Sequence, residues 1–370
     1  MRDGLCTLCD AATGKVKKLT TQKLDWTVED AEKKGYPHFL LKEIMEQPQT
    51  ISKAAVLNSD SLSFLAEKIK NGAKIVMTGC GTASYCALAA KYFFAQKQIE
   101  SQVYGAYEFL PFAKFCNQNT VFIAVSQSGE TADTIIAAKA AKKRGAYVVA
   151  IVNARGSTLE RLADLVLPTG AGPEIAVVST KAFTSQLTIL YALACTIAKR
   201  NIENLVQKLE HWLTPDLQKK IISLAKLLME HEHIYLIGKH LNYPASLEFA
   251  LKIKESSYTH AEPFAAGELK HGVITLIQKN TPCFVLAGND EVKCEVLSSA
   301  AELKAMGADI IGIAPFSDKE FNELIETPDV GDLTLFPNVI VGQLLGYYMG
   351  IGKGADPDKP RNLAKSVTVK

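Results

Sequence analysis

The sequence carries almost no excess of charge: 41 Lys and Arg stand against 39 Asp and Glu, a formal net of +2. Without a dominant sign there is no electrostatic footprint for a nucleic-acid backbone or an anionic bilayer, which excludes both as main partners. Long apolar runs are missing too. Gly, Lys or polar residues interrupt every hydrophobic stretch before the roughly 18 to 20 residues that a bilayer span requires, so no membrane segment is expected. Neither G-x-x-x-x-G-K-[ST] nor G-x-G-x-x-G occurs, which removes the usual nucleotide cradles. The eight cysteines are scattered, with no secretory leader, and fit a reducing cytoplasm. Cys6 and Cys9 form a C-x-x-C, but no second Cys or His pair lies at ligand spacing, so no metal site is expected. No cofactor is implied. What is present is a 370-residue chain, 48% hydrophobic and 22% charged, long enough for two domains and suited to a small ligand.

Short β-branched runs alternate with longer amphipathic or Ala-rich stretches, which predicts an α/β fold with parallel sheets covered on both faces. The pattern occurs twice. A strand at residues 74–79 and a helix through Tyr92 are echoed by a strand at 234–238 and a helix through Glu255. Likewise residues 120–125, a helix through Arg144 and a strand at 145–151 match residues 281–287, a helix through Met306 and a strand at 307–313. Each copy is expected to be a doubly wound, flavodoxin-like, five-stranded parallel sheet flanked by helices. Residues 1–45 are charged and weakly periodic and read as a linker. The first copy is expected at 46–213, closing on an Ala-rich helix from Lys181 to Lys199, and the second at 214–350, opening where Thr214-Pro215 breaks the pattern. Residues 351–370, with Gly352, Gly354, Pro357 and Pro360, read by composition as a solvated tail.

The strongest local signal is the apolar strand at 121–125 followed by Ser126-Gln127-Ser128-Gly129-Glu130-Thr131 and an Ala-rich helix. Hydroxyls and free backbone N–H groups beside a helix start suit a phosphate without a lysine. The same residues would also make a well-capped strand-to-helix turn. Two more clusters, Gly79-Cys80-Gly81-Thr82 and Ser179-Thr180, sit where strand ends could converge with it. The matching turn of the second copy, Gly288-Asn289-Asp290-Glu291, offers carboxylates that would repel a phosphate, so one phosphate site per chain is expected. The second copy instead carries Glu248, Lys252 and Glu255 at i, i+4 and i+7, on one helical face. Spacing alone leaves a solvated ion-pair ladder and a functional cluster both open. The segment Gly267-Glu268-Leu269-Lys270-His271-Gly272 places a histidine between glycines, where backbone approaches a ligand closely.

With these motifs in place the chain resembles the isomerase half of glucosamine-6-phosphate synthase, which pairs two sugar-isomerase (SIS) domains. The resemblance runs from about Tyr36 to Lys370 through residues 42–48, the 126–131 turn, residues 179–184, residues 267–272 and the ending Pro360-Arg361-Asn362-Leu363-Ala364-Lys365-Ser366-Val367-Thr368-Val369. It implies that Thr82, Ser126, Gln127, Ser128, Thr131, Val177, Ser179 and Ala364 bind fructose 6-phosphate or glucosamine 6-phosphate. It further implies that His271 opens the furanose ring from the other protomer of a homodimer and that Lys365 forms an imine with the C2 ketone. Glu255 would move the proton between C1 and C2, supported by Lys252 and Glu248. Ala83 stands where the family's first loop usually has a serine, which puts one hydroxyl contact in doubt. Residues 19–26 resemble the linker that leaves a glutaminase half, and with Met1 first and Cys6 not terminal that half is not expected in this chain. A glutaminase domain or chain would then supply ammonia. A non-catalytic sugar-phosphate sensor and an SIS-type sugar-phosphate deglycase are the competing readings.

Overall fold

The computed structural model describes residues 7–18, 31–195 and 199–369; Cys6 and the linker-like residues 19–26 lie outside the described residues. Strands β1 (Leu8–Cys9) and β2 (Val16–Lys17) form a small antiparallel pair, and helices α1 (Phe39–Met45), α2 (Gln47–Leu57) and α3 (Ser59–Lys70) follow. The first repeat then runs β3 (Lys74–Gly79), α4 (Thr82–Gln96), β4 (Ser101–Gly105), β5 (Thr120–Ser126), α5 (Ala132–Lys143), β6 (Tyr147–Val152), α6 (Thr158–Leu162), β7 (Leu165–Pro168) and α7 (Lys181–Ala194). Helices α8 (Lys199–Trp212) and α9 (Pro215–Leu228) lead to the second. It comprises β8 (His233–Gly238), α10 (Asn242–Ser257), β9 (His260–Ala265), β10 (Pro282–Leu286), α11 (Lys293–Ala305), β11 (Asp309–Ala314), β12 (Glu323–Glu326) and α12 (Leu335–Gly352).

Both large sheets have five strands, all parallel, ordered β4-β3-β5-β6-β7 and β9-β8-β10-β11-β12. In each, the first strand lies between the second and third, so the connections leave in opposite directions and open a crevice at the carboxyl edge. In the first sheet that crevice receives the loops after β3 and β5, the two hydroxyl-rich segments singled out above.

One hydrophobic core serves both repeats. It takes Ile75, Met77, Ile123 and Val149 from one sheet, Leu236, Phe284, Leu286 and Ile311 from the other, and a helical layer between them that includes the almost wholly buried α7 and α12. The opposite sheet faces have their own smaller cores, under α5 and α6 in one case and α11 in the other. The helix expected to reach Lys199 ends at Ala194, because Cys195 turns to an extended conformation (φ −118°, ψ 93°). Thr214 caps α9, its hydroxyl accepting the Leu217 N–H at 3.3 Å with Pro215 in the first turn.

Within the shared layer α12 lies directly on the backbone of α10. Gly342, Gly346 and Gly350 repeat every fourth residue, and a Cβ built at them would come within 2.5 Å of Phe249 Cγ, 2.6 Å of the Lys252 carbonyl oxygen and 2.3 Å of the Ser256 carbonyl oxygen. The absence of side chains there is what beds α10, and everything it carries, against a fixed surface. Gly346→Ala gains about 1 kcal/mol of helix propensity but forces a methyl into a backbone carbonyl that cannot move aside. Overpacking of this kind costs about 1–3 kcal/mol. We expect a net loss of unfolding free energy, read from the urea midpoint.

Candidate active site

Helix α10 is held between α12 and α4, and this sandwich buries the Glu248, Lys252 and Glu255 face. Glu248 and Lys252 have side chains 0% and 1% exposed, while that of Glu255 retains 20%. Lys252 Nζ donates to Glu255 Oε2 at 2.7 Å and to Thr82 Oγ1 at 3.0 Å, and lies 3.3 Å from Glu248 Oε1. Thr82, the first residue of α4, in turn donates to Glu248 Oε1 at 3.3 Å. The cluster therefore joins the two repeats, and the ladder is not a solvated one. Burial disfavours the Lys252 ammonium, yet Glu248 and Glu255 outweigh it and hold the group above its ordinary range. Burial pushes Glu248 up to about 7; Lys252 pulls it down and the charge of Glu255 adds to the push. The second oxygen of Glu248 is buried with no hydrogen-bond partner among the described residues. Glu255, the partly open member, faces a cleft of about 270 Å³ shared with Tyr258 and with Arg361, Asn362 and Leu363 of the tail.

The hydroxyl turn closes on itself at the end of β5. Ser126 Oγ accepts the Gly129 N–H at 3.0 Å and lies 3.4 Å from Thr131 Oγ1, and Ser128 Oγ accepts the Glu130 N–H at 3.2 Å. Gly129 has φ +65°, and a Cβ there would meet Ser157 Oγ at 2.1 Å, so the turn needs glycine twice over. The acid within the turn is committed elsewhere: Glu130 accepts the Thr158 N–H at 2.7 Å, and the Thr158 hydroxyl together with that N–H holds its carboxyl below the usual range. Gln127 uses its carbonyl for the N–H groups of Asn153 and Ala154. Cys80 Sγ, 3.7 Å from Thr134 Oγ1, brings the loop after β3 against α5. At the start of α4, Ser84 donates its hydroxyl hydrogen to the Gly81 carbonyl at 2.7 Å.

The tail is bound along its length. Asp358 accepts the N–H groups of Phe39 and Leu40 at 3.1 and 2.8 Å, capping α1, and its own carbonyl accepts the Val177 N–H at 3.0 Å. The Arg361 guanidinium stacks 4.2 Å over the Tyr258 ring. Ser366 Oγ meets Ser128 Oγ at 3.0 Å, and the Val367 carbonyl accepts the Ala132 N–H at 3.1 Å, at the start of α5. Between these anchors Lys365 pairs with buried Glu174 at 2.9 Å, and Ser179 donates to the same carboxylate at 3.2 Å. Ala364 is exposed and Val177 half-buried.

The structure thus brings together Thr82, Glu248, Lys252 and Glu255 in one cluster, Ser126, Ser128 and Thr131 with the tail in a second, and Ser179 with Lys365 in a third. His271 is not among them. It ends a 3-10 turn in the second repeat, exposed, with no hydrogen bond or ion pair to these clusters among the described residues. Sequence reasoning missed Glu43, Glu174 and Asp358. The only signal for Glu43 was its place in the 42–48 run, and a lone Glu174 beside Gly-Pro reads as ordinary loop.

Comparison with known proteins places this geometry. The family profile described as SIS domain matches residues 68–196 and 227–329, one stretch in each repeat. The chain belongs to the SIS family. Within it, the chain is 43% identical over 379 residues to the glutamine–fructose-6-phosphate aminotransferase [isomerizing] of Thermococcus kodakarensis, and 39% identical over 376 residues to that of Clostridium acetobutylicum. It spans 62% and 61% of those proteins, with 96% and 94% of its own length aligned. The C-terminal domain of glucosamine-fructose-6-phosphate aminotransferase from Francisella tularensis superposes with a TM-score of 0.78 at 32% identity, covering 89% of this chain and 100% of that one. This SIS chain therefore corresponds to the isomerase half of these aminotransferases. A glucosamine-6-phosphate deaminase from Thermotoga maritima is also similar, with a TM-score of 0.74 at 28% identity, over 89% of this chain and 99% of that one.

The buried acid of the α10 cluster has a measurable signature. A carboxyl whose folded value lies near 7, above its ordinary 4.5, favours folding at low pH, and that contribution is lost as pH rises through 7. Between pH 5 and 8, Glu248→Gln is expected to flatten the fall in melting temperature relative to the unsubstituted protein. Parallel curves would show that Glu248 is ionised throughout.

Proposed function

We propose that this chain is a sugar-phosphate isomerase module that takes fructose 6-phosphate from ketose to aldose. With ammonia from a glutaminase domain or chain the product is glucosamine 6-phosphate; without it, glucose 6-phosphate. The observation that carries this reading is the joint between repeats, where a partly open carboxylate, Glu255, sits against a buried Lys252 and borders a cleft walled by the tail that holds Lys365. Aldose–ketose exchange needs one carboxylate that takes a proton from C1 and returns it to C2, and Glu255 has the access for it. Lys252 and Glu248 fix its position. Lys365 would form the imine at C2, and the turn of Ser126, Gln127, Ser128 and Thr131, with Thr82, Val177, Ser179 and Ala364, would hold the sugar and its phosphate. His271 would open the ring from the second protomer of a homodimer, which agrees with its exposure and with its making no hydrogen bond or ion pair to the other site residues among the described residues. We place the module in the cytoplasm, where thiols such as Cys86 and Cys283 stay reduced.

The assay uses purified protein with fructose 6-phosphate, with and without ammonium. Glucose 6-phosphate formed without ammonium supports the reading, together with deuterium exchange at C1 or C2 that Glu255→Gln abolishes while affinity is kept. Exchange at the unsubstituted rate in Glu255→Gln refutes the role of that residue. The similarity to the Thermotoga maritima deaminase favours a second reading, release of ammonia from an amino-sugar phosphate. Ammonia formed from glucosamine 6-phosphate, with no turnover of fructose 6-phosphate, would establish it.

The phosphate turn has its own test. Ser128→Ala with Thr131→Ala is expected to weaken fructose 6-phosphate binding by about 1 kcal/mol or more per lost hydrogen bond, in calorimetry. Unchanged affinity places the phosphate elsewhere.

A further inference from the structure

Between α1, the loop ahead of α7 and the tail lies a second buried set of charges. The Glu174 side chain is fully buried: Oε1 accepts the N–H groups of Thr180 and Ala182 at 2.9 and 3.0 Å, and Oε2 accepts the Ser179 hydroxyl at 3.2 Å and Lys365 Nζ at 2.9 Å. Lys365 Nζ also donates to the Ala176 carbonyl at 2.7 Å. Behind this pair, Glu43 Oε1 accepts the N–H groups of Ile175 and Ala176 at 2.5 and 3.3 Å. Glu43 Oε2 is buried without a hydrogen-bond partner among the described residues, in a side chain that is 1% exposed as a residue. The other charges on this side, Lys42 and Lys181, pair with Glu46 at 3.4 and 2.8 Å.

Two buried carboxyls facing one lysine are not equivalent. Burial pushes Glu43 up to about 8 and the Glu174 charge adds to the push, against the Ile175 N–H, Lys365 and Lys181. Burial acts on Glu174 as well, but Lys365 and the backbone donors outweigh it and hold that carboxyl below the usual range.

We propose that Glu174 is a positioning residue for Lys365: it seats the ammonium and takes its proton as the amine attacks. This rests on the imine chemistry assigned to Lys365 above. The ammonium gives one proton to the Glu174 carboxylate, and the free amine adds to the C2 carbonyl. A second proton passes from nitrogen to the carbonyl oxygen, giving a carbinolamine. Glu174 then returns its proton to that hydroxyl, the C–O bond breaks, water leaves and the iminium forms. Charge is conserved and Glu174 ends as it began.

The test is the rate at which cyanoborohydride traps the fructose 6-phosphate adduct on Lys365, located by mass spectrometry. Glu174→Gln keeps the size and acceptor oxygen but cannot take a proton, so trapping is expected to fall by about 100-fold or more with fructose 6-phosphate affinity within about threefold. Glu174→Asp, which keeps a carboxylate, is expected to recover trapping to within about tenfold of the unsubstituted protein. Folding is checked by near-ultraviolet circular dichroism, and if Glu174→Gln does not fold, Glu174→Asp against its uncharged match Glu174→Asn decides. Near-normal trapping in folded Glu174→Gln, or equal trapping in folded Glu174→Asp and Glu174→Asn, overturns the proposal while leaving the isomerase reading intact. No adduct on Lys365 in the unsubstituted protein overturns the imine reading, and this proposal with it.

Discussion

A single buried ammonium decides how the two repeats meet. Lys252 has no water to solvate it, so its charge must be answered by Glu248, Glu255 and the Thr82 hydroxyl, and these come from both sides of the joint. Removing one partner of such a cluster leaves a buried charge uncompensated, typically at about 3–5 kcal/mol, so the arrangement tolerates little slack. The glycine stripe of α12 sets the height of α10, α4 sets where Thr82 stands, and the carboxylate that opens on the cleft is positioned by both. The geometry of the proposed site and the packing of the repeats are here one set of contacts.

The repeat and its two parallel sheets were legible because a strand buried on both faces leaves a near-continuous apolar run rich in β-branched residues, as in residues 121–125 and 310–313. Two things were not. Periodicity reports that a face is buried, never against what, so the common core of Ile123 and Phe284 could not be foreseen. The i, i+4, i+7 spacing of Glu248, Lys252 and Glu255 suits an exposed ladder as well as a buried cluster, and only the neighbouring helix settles it. The stripe Gly342, Gly346, Gly350 could have been read, since glycine at every fourth helical position marks close backbone approach. The tail shows the opposite failure. Composition makes residues 351–370 a solvated end, because few are apolar, but what fastens them is polar: the Asp358 cap on α1, the Arg361 stack and the Lys365 ion pair.

Duplication has left equivalent loops with different contents. After β5 the turn keeps hydroxyls and backbone donors near a helix start, and sends its one acid, Glu130, to Thr158. After β10 the polar side chains satisfy one another: Asn289 donates to Asp329, Asp290 accepts the Val292 N–H, and Lys293 reaches Asn289. One repeat keeps an edge of neutral donors, while the other supplies a helix and a tail, and the site proposed above draws on both.

The shared core carries a consequence for ancestry. Cut between the repeats, either half would bare the apolar inner face of its sheet and helices, surface that no isolated soluble domain leaves open to water. A half-length forebear with this fold would have had to pair through that face, with a two-fold axis where the helical layer now runs. Fusion of the genes would then have freed each copy from self-complementarity, allowing one side of the old interface to acquire Thr82 and the other Lys252. The seam in this chain buries what separate halves would have to cover, and its two sides carry different residues, Thr82 on one and Lys252 on the other.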